Sequence, residues 1–271
     1  MFVRKIKFLG IIALFFIASC VQINLATPKV SVSKITKVGE LQFNFKIKKF
    51  SYSVIDSTFF LMDENQKIHI IRNSKEVNII GGTGFGSNQF RELTDFCIDK
   101  NGHLLTLDRM RKMLIVFDSL GNKLSQIDIS FINSPLLIAQ LDSGYYACFD
   151  NTTKEAVIFP EWKTKDLLKF GQFEINSPKY LKTNLTNIIF YDSQSDKTLI
   201  YDDFGNLLDE KKGKFLADKF NNYFKFTEHL IIQDNLKIVS VENIKLFDIF
   251  DKEILIVENN KIGIYKIEYE K

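Results

Sequence analysis

The sequence predicts an all-β fold, a six-bladed β-propeller, from a repeated motif and its spacing. A seven-residue pattern begins at a turn position, continues through an apolar run and ends on an acid, and it occurs six times. The copies are residues 57–63, 102–108, 144–150, 186–192, 228–234 and 252–258. Their closing acids lie 45, 42, 42, 42 and 24 residues apart. A period of roughly 40–45 residues built of short strands is that of a propeller blade.

The composition suits a single β domain and argues against a nucleic-acid partner. The chain has 271 residues, of which 45% are apolar, enough to bury a sizeable core. It contains 36 basic and 33 acidic residues, and three of the bases, Arg4, Lys5 and Lys7, lie in a predicted leader. The remaining 33 bases equal the 33 acids. A neutral body offers no basic surface for phosphate contacts.

The N-terminal residues resemble a bacterial lipoprotein signal. Residues 1–19 are predicted as a signal peptide, because a basic start precedes an apolar stretch too short to span a bilayer. Residues 17–20, Ile-Ala-Ser-Cys, resemble a lipobox, which implies cleavage before Cys20 and lipidation of its thiol. An ordinary secretory signal with a chance cysteine is the alternative. Val21, where aspartate would resemble an inner-membrane retention signal, favours the outer membrane. Residues 21–30 lack the acidic cluster that would resemble a surface-export signal, which favours the periplasmic face.

The remaining chain divides into a tether and the propeller. Residues 20–34 are predicted as a lipidated tether and residues 35–271 as the six blades. The clearest blade has predicted strands at 94–98, 103–107, 113–117 and 123–129, separated by glycine-containing turns. The third strand repeats as well, because Phe117, Phe159 and Tyr201 are spaced 42 and 42 residues apart.

The final interval of 24 residues is 18 shorter than the preceding 42 and predicts an incomplete blade. We expect the blade that contains Asp234 to lack its outer strand. We expect the last blade to keep strands at 245–250, 253–257 and 261–267 and to take its fourth from residues 35–47. Such closure would join the chain ends and cover a bare sheet edge. An open five-blade arc is the alternative.

Residues 81–124 carry a family resemblance. Gly82-Thr-Gly84-Phe-Gly86-Ser-Asn-Gln89-Phe90, an Asn-Gly turn, Asp108 and Ile115-Val-Phe-Asp118 resemble the NHL repeat of six-bladed propellers. The motif also resembles that of the six-bladed propeller lipoproteins of Bacteroidota. Leu93 and Met113 stand where NHL blades usually have Pro and Arg. The resemblance implies a scaffold that binds protein, glycan or RNA, or a metal-dependent lyase or hydrolase, and fold alone does not choose among them.

Several residues are candidates for function, each with a structural alternative. The closing acids should form a ring on one face. We interpret them as hydrogen-bonding partners of turn backbone, neutralised by a lysine three to five residues later. The three histidines, His69, His103 and His229, are too few for a predicted metal site. Arg109, Arg111 and Trp162 are candidate partner-binding residues because Arg and Trp are enriched at interface hot spots.

The sequence therefore predicts a membrane-anchored, non-catalytic scaffold that binds a protein partner in the cell envelope. No catalytic residues, cofactor or metal ligands are assigned. Cys97 and Cys148 are expected to be buried free thiols. The alternatives are a metal-dependent hydrolase or lyase, or a glycan- or peptide-binding module, acting through the central channel.

Overall fold

The chain folds into six four-stranded antiparallel sheets. A computed structural model describes residues 30–86, 88–161, 167–184, 186–233, 236–240 and 243–270. The first three blades contain β2 (Lys49–Ser53), β3 (Thr58–Met62), β4 (Lys67–Arg72), β5 (Lys75–Gly81); β6 (Leu93–Ile98), β7 (Leu104–Asp108), β8 (Met113–Phe117), β9 (Lys123–Asp128); and β10 (Pro135–Gln140), β11 (Tyr146–Asp150), β12 (Glu155–Phe159), β13 (Leu168–Phe170).

The other three blades follow the same order. They contain β14 (Pro178–Thr183), β15 (Ile188–Asp192), β16 (Lys197–Tyr201), β17 (Leu207–Lys212); β18 (Lys214–Ala217), β19 (Tyr223–Phe226), β20 (Leu230–Gln233), β21 (Leu236–Ser240); and β22 (Leu246–Phe250), β23 (Glu253–Glu258), β24 (Lys261–Glu270) with β1 (Ser31–Gln42). The six-bladed propeller expected from the repeat is therefore confirmed. In the described residues, no helix is long and apolar enough to cross a bilayer.

The first strands of the blades surround the centre of the molecule. β2, β6, β10 and β14 contact one another in succession, and β22 contacts both β18 and β2. Each first strand is antiparallel to the second strand of its blade, so it begins on the face where the second strand ends. We call this the acid-bearing face, because Asp63, Asp108, Asp150 and Asp192 lie there at the ends of second strands.

The N-terminal strand closes the propeller, as the sequence predicted. β1 is the outermost strand of the sixth blade and pairs with β24 from Ser31 opposite Glu270 to Gln42 opposite Lys261. β1 begins at Ser31, so its first four residues lie within the segment assigned to the tether. The two chain ends are thereby held in one sheet, and the edge of β24 is covered.

The prediction of a three-stranded fifth blade was wrong. The apolar run of residues 228–234 forms the third strand, β20, and β19 (Tyr223–Phe226) is the second. β21 supplies the outer strand. The error arose because β19, Tyr-Phe-Lys-Phe, has no closing acid, whereas the run that follows it matches the seven-residue pattern. The interval of 24 residues is short because it runs from the end of a third strand to the end of a second strand, which are not equivalent positions.

Hydrophobic side chains fill the layers between neighbouring blades. Five clusters of buried residues join blades 1 and 2, 2 and 3, 3 and 4, 5 and 6, and 6 and 1. The repeated third-strand aromatics Phe117, Phe159 and Tyr201 are each at most 1% exposed. Cys97 and Cys148 are both free thiols. Strands apolar on both faces are expected when every sheet lies between two others.

Candidate functional site

The closing acids of the second strands fasten the loops of the acid-bearing face. Asp108 is fully buried and accepts hydrogen bonds from the backbone N–H groups of Arg91, Glu92 and Arg111 at 2.9, 3.2 and 3.2 Å. Asp150 repeats this arrangement with the backbone of Asn133 at 2.8 Å. These acids tie the incoming crossover to the strand end, so the structural interpretation is confirmed for them and extended beyond the following turn.

The first-blade acid has a different environment. Asp63 accepts backbone hydrogen bonds from Asn65 and Lys67 at 2.8 and 2.9 Å, and His69 Nε2 lies 3.4 Å from its second oxygen. Burial acts to raise the pKa of Asp63, but these hydrogen bonds together hold it below its usual value.

The lysines that follow the closing acids were expected to neutralise them, but in two blades these lysines pair with other carboxylates. Lys197 pairs with Glu210 at 2.5 Å, and Lys261 lies 3.7 Å from Glu40. Asp234, the fifth acid, lies outside the described residues, and the run before it forms a third strand rather than a second. In the described residues, the second strand of the fifth blade therefore does not end on an acid. The buried carboxylates of Asp108 and Asp150 are stabilised by backbone N–H groups rather than by lysines.

The crossover between blades 1 and 2 lies on this face, and its described residues make several contacts with one another. The backbone of Gly84 donates to Phe90 O at 2.9 Å, and Phe90 is fully buried. Gly81 has a φ of +91°, and a Cβ there would lie 2.6 Å from the Phe90 ring. Phe85, at the tip, is 82% exposed. The crossover loop therefore carries an exposed aromatic ring, and the Arg91 guanidinium lies 4.8 Å from the ring centre.

Arg109 and Arg111, predicted to bind a partner, both make contacts within the chain. Arg109 forms a two-pronged ion pair with Glu92, with Nε 2.8 Å from the carboxylate. Arg111 lies 3.5 Å from the Asp108 carboxylate and donates to the carbonyl of Gly84 at 3.4 Å. Arg111 thus joins the turn after β7 to the crossover loop. Between the two arginines, Met110 is 65% exposed, so this turn presents Met110 beside the loop that carries Phe85.

Two ion pairs join the first strands of different blades at the centre of the molecule. Lys49 of β2 contacts Asp95 of β6, and Lys182 of β14 contacts Asp248 of β22. Both carboxylates are buried and also accept backbone N–H bonds, Asp95 from Ile138 at 2.8 Å and Asp248 from Ile249 at 2.9 Å. Burial, together with the neighbouring Lys182 ammonium, lowers the pKa of Lys49 to about 7, although the Asp248 carboxylate acts in the opposite direction.

The larger cavity, about 330 Å³, opens towards the face opposite the acids. Part of its polar lining is engaged within the chain: Asp99 accepts from the backbone of Asn101 and His103, and Thr183 donates to Gln140 O at 2.7 Å. Among the described residues, the buried hydroxyl of Ser53 in this lining has no hydrogen-bond partner. Cys97 also lines it, and burial raises the pKa of this thiol to about 12. A thiol that remains protonated at neutral pH is not an activated nucleophile.

The second cavity, about 230 Å³, opens on the acid-bearing face, because the starts of first strands line it. We call it the lysine mouth. Six lysines and a single carboxylate, Asp248, line it. The lysines are Lys48, Lys49, Lys179, Lys182, Lys214 and Lys245. Sequence analysis missed them because it aligned second strands; aligning the starts of first strands would have shown a lysine near the start in blades 1, 4, 5 and 6.

The histidines make local contacts in the described part of the chain. His69 lies between Asp63 and Glu76, with Nδ1 2.6 Å from Glu76, and stacks on Phe45 with ring centres 3.8 Å apart. His103 Nδ1 lies 3.0 Å from Asp99. Among the described residues, no three His, Cys, Asp or Glu side chains are grouped as a metal site would require. Cys20 and Trp162 lie outside the described residues, so their predicted roles stay predictions.

Comparison with known proteins places the chain in the propeller class. Residues 52–163 match the model of a family described as a 6-bladed beta-propeller. No curated protein sequence matches the chain. That the propeller is of the NHL-like Bacteroidota type stays a prediction.

Solved structures are similar in fold. A gluconolactonase from Xanthomonas campestris has a TM-score of 0.60 and 12% identity over 88% of this chain and 95% of that one. An inactive virginiamycin B lyase from Staphylococcus aureus, solved with quinupristin, has a TM-score of 0.59 and 12% identity over 90% and 97%. A streptogramin B lyase has a TM-score of 0.57 and 10% identity over 86% and 98%. Identities this low establish the fold alone.

Proposed function

We propose that the chain is a non-catalytic binding module of the bacterial cell envelope. It is anchored by lipid on Cys20 in the outer membrane, faces the periplasm, and holds a protein partner on its acid-bearing face. The observation that carries the proposal is the paired display of Phe85 and Met110, 82% and 65% exposed, on loops that Arg111 joins. Exposed apolar side chains on loops of one face suit an interface, because their burial against a partner removes apolar surface from water.

The channel supports binding more than catalysis. Its two buried carboxylates are each held by a lysine and a backbone N–H group, so neither is placed to exchange protons with a substrate. Burial keeps the Cys97 thiol protonated, which also argues against a catalytic role for this residue. The hydrolase or lyase alternative would require these groups to be released from their present partners.

Capture of the partner from solubilised envelope tests the proposal. The detergent-purified, lipidated chain should retain a reproducible envelope protein. Phe85→Asp and Met110→Asp should each lower its recovery about tenfold or more, because a charge replaces an apolar contact at the interface centre. Phe204→Asp is the matched control, since Phe204 is 77% exposed on a turn of the opposite face. Equal recovery with all three variants, or equal loss with Phe204→Asp, would contradict the proposal.

A further inference from the structure

The lysine mouth concentrates positive charge in a molecule that is otherwise balanced. The whole chain has 36 basic and 33 acidic residues, whereas this cavity is lined by six lysines and one carboxylate. The carboxylate, Asp248, already contacts Lys182 and the backbone of Ile249. Lys49 pairs with Asp95 and Lys48 with Glu64, both outside the lining. The excess positive charge of the cavity is therefore that of its other three lysines.

The lysines at the rim are available to a ligand. In the part of the chain that the structure describes, no carboxylate lies within ion-pair distance of Lys179, Lys214 or Lys245. All three are exposed, and they come from blades 4, 5 and 6. Lys48, from blade 1, forms an ion pair with Glu64 at 3.0 Å. Like charges brought together from separate blades repel one another, and an anion placed between them removes that repulsion.

The floor of the cavity is aromatic. Tyr180 and Tyr191 are stacked with ring centres 5.6 Å apart, and Phe247 meets Tyr180 edge-on at 6.2 Å. Their hydroxyls are already used, since Tyr180 donates to Phe215 O at 2.7 Å and Tyr191 to Asp196 at 3.0 Å. The floor therefore offers aromatic surface without free hydroxyl groups, which suits the apolar part of a sugar or acyl group. Lys214 lies over the Tyr191 ring at 5.7 Å, which places a rim ammonium next to this surface.

We propose that the lysine mouth binds a small phosphate monoester, with the phosphate among Lys179, Lys214 and Lys245 and the organic group against the aromatic floor. Lysine is a point charge without the fixed fork of arginine, so it suits the tetrahedral phosphate better than the planar, two-pronged recognition of a carboxylate. The volume of about 230 Å³ is below the roughly 300–1,000 Å³ of sites for drug-sized ligands, which favours a small metabolite or headgroup. This ligand is separate from the protein partner proposed above.

Calorimetric titration of the full-length chain in detergent tests the site. Glucose 6-phosphate is the soluble sugar-phosphate probe, and glucose and inorganic phosphate are its two halves. Short-chain phosphatidic acid, compared with short-chain phosphatidylcholine, is the lipid probe. We expect one phosphate monoester to bind with a single site and more tightly than inorganic phosphate, and glucose and phosphatidylcholine not to bind. Preference for glucose 6-phosphate assigns a soluble ligand, and preference for phosphatidic acid assigns a lipid headgroup.

A charge-matched pair of variants separates the site from overall charge. The triple variant Lys179→Gln, Lys214→Gln, Lys245→Gln should weaken phosphate-monoester binding at least about 100-fold, because it removes the three unpaired ammonium groups. Lys34→Gln, Lys75→Gln, Lys266→Gln removes the same charge from exposed positions elsewhere and should leave binding unchanged. No binding of either phosphate monoester at low salt, or equal weakening in both triple variants, would overturn the proposal. Capture of the protein partner is scored separately, so the two proposals fail independently.

Discussion

Deletion of residues 31–42 is expected to abolish the cooperative unfolding transition of the propeller. β1 is the outer strand of the sixth blade and pairs with β24 along its length. Its loss leaves the N–H and C=O groups of β24 unpaired and uncovers the interblade layers that Val32, Ile35 and Leu41 pack against. We expect a loss of about 5 kcal/mol or more, comparable to the roughly 5–15 kcal/mol that a typical domain has in total.

Urea unfolding followed by circular dichroism, with light scattering to detect association, measures this effect. The deletion variant should show no sharp transition and should associate through the exposed β24 edge. Deletion of residues 22–29, within the predicted tether, is the control and should leave the midpoint of unfolding unchanged. A deletion of 31–42 that kept the wild-type midpoint would show that β1 does not close the propeller.

Replacement of Asp108 by alanine is expected to cost about 3–5 kcal/mol of unfolding free energy. The variant leaves three backbone N–H groups, those of Arg91, Glu92 and Arg111, without their acceptor in a site that is 0% exposed. It also removes the carboxylate 3.5 Å from the half-buried Arg111 guanidinium, which weakens the contact between the turn after β7 and the crossover loop.

Asp202 provides a control with similar local chemistry at a more solvated position. It accepts hydrogen bonds from the backbone of Phe204 and Asn206 at 2.9 and 2.8 Å. Because water can replace the lost acceptor there, Asp202→Ala should cost only about 1 kcal/mol. Denaturant titration of both variants distinguishes the two cases. Equal, small losses would contradict the role assigned to Asp108 as a fastener between the crossover and the strand end.

The architecture was largely predictable from sequence because blades repeat and their turns use residues with clear preferences. The third strand of the second blade, Met113–Phe117, was predicted without error. The closure by β1 followed from the shortage of strands at the C-terminal end. The fifth blade was misassigned because an apolar run does not reveal which strand of a sheet it forms, and only pairing with β19 and β21 decides this.

The site was less predictable, because it is assembled from residues far apart in the chain. Lys49 and Asp95 are 46 residues apart, and Lys182 and Asp248 are 66 apart, so neither pair forms a local motif. Arg109 and Arg111 stood out by residue type, but their contacts with Glu92 and the Gly84 carbonyl depend on the crossover conformation. The sequence pattern located these loops, but it did not show that Phe85 and Met110 on them are exposed to solvent.

Photo-crosslinking in living cells tests most directly that the acid-bearing face is a binding face. A photoreactive amino acid placed at position 85 or 110 of the lipidated chain should yield one discrete adduct with an envelope protein. The same probe at position 204, on the opposite face, should not. Cys20→Ser, which removes the proposed lipid acceptor, should lower the yield because the chain is no longer held at the membrane. Adducts only at position 204, or none at 85 and 110, would contradict the account.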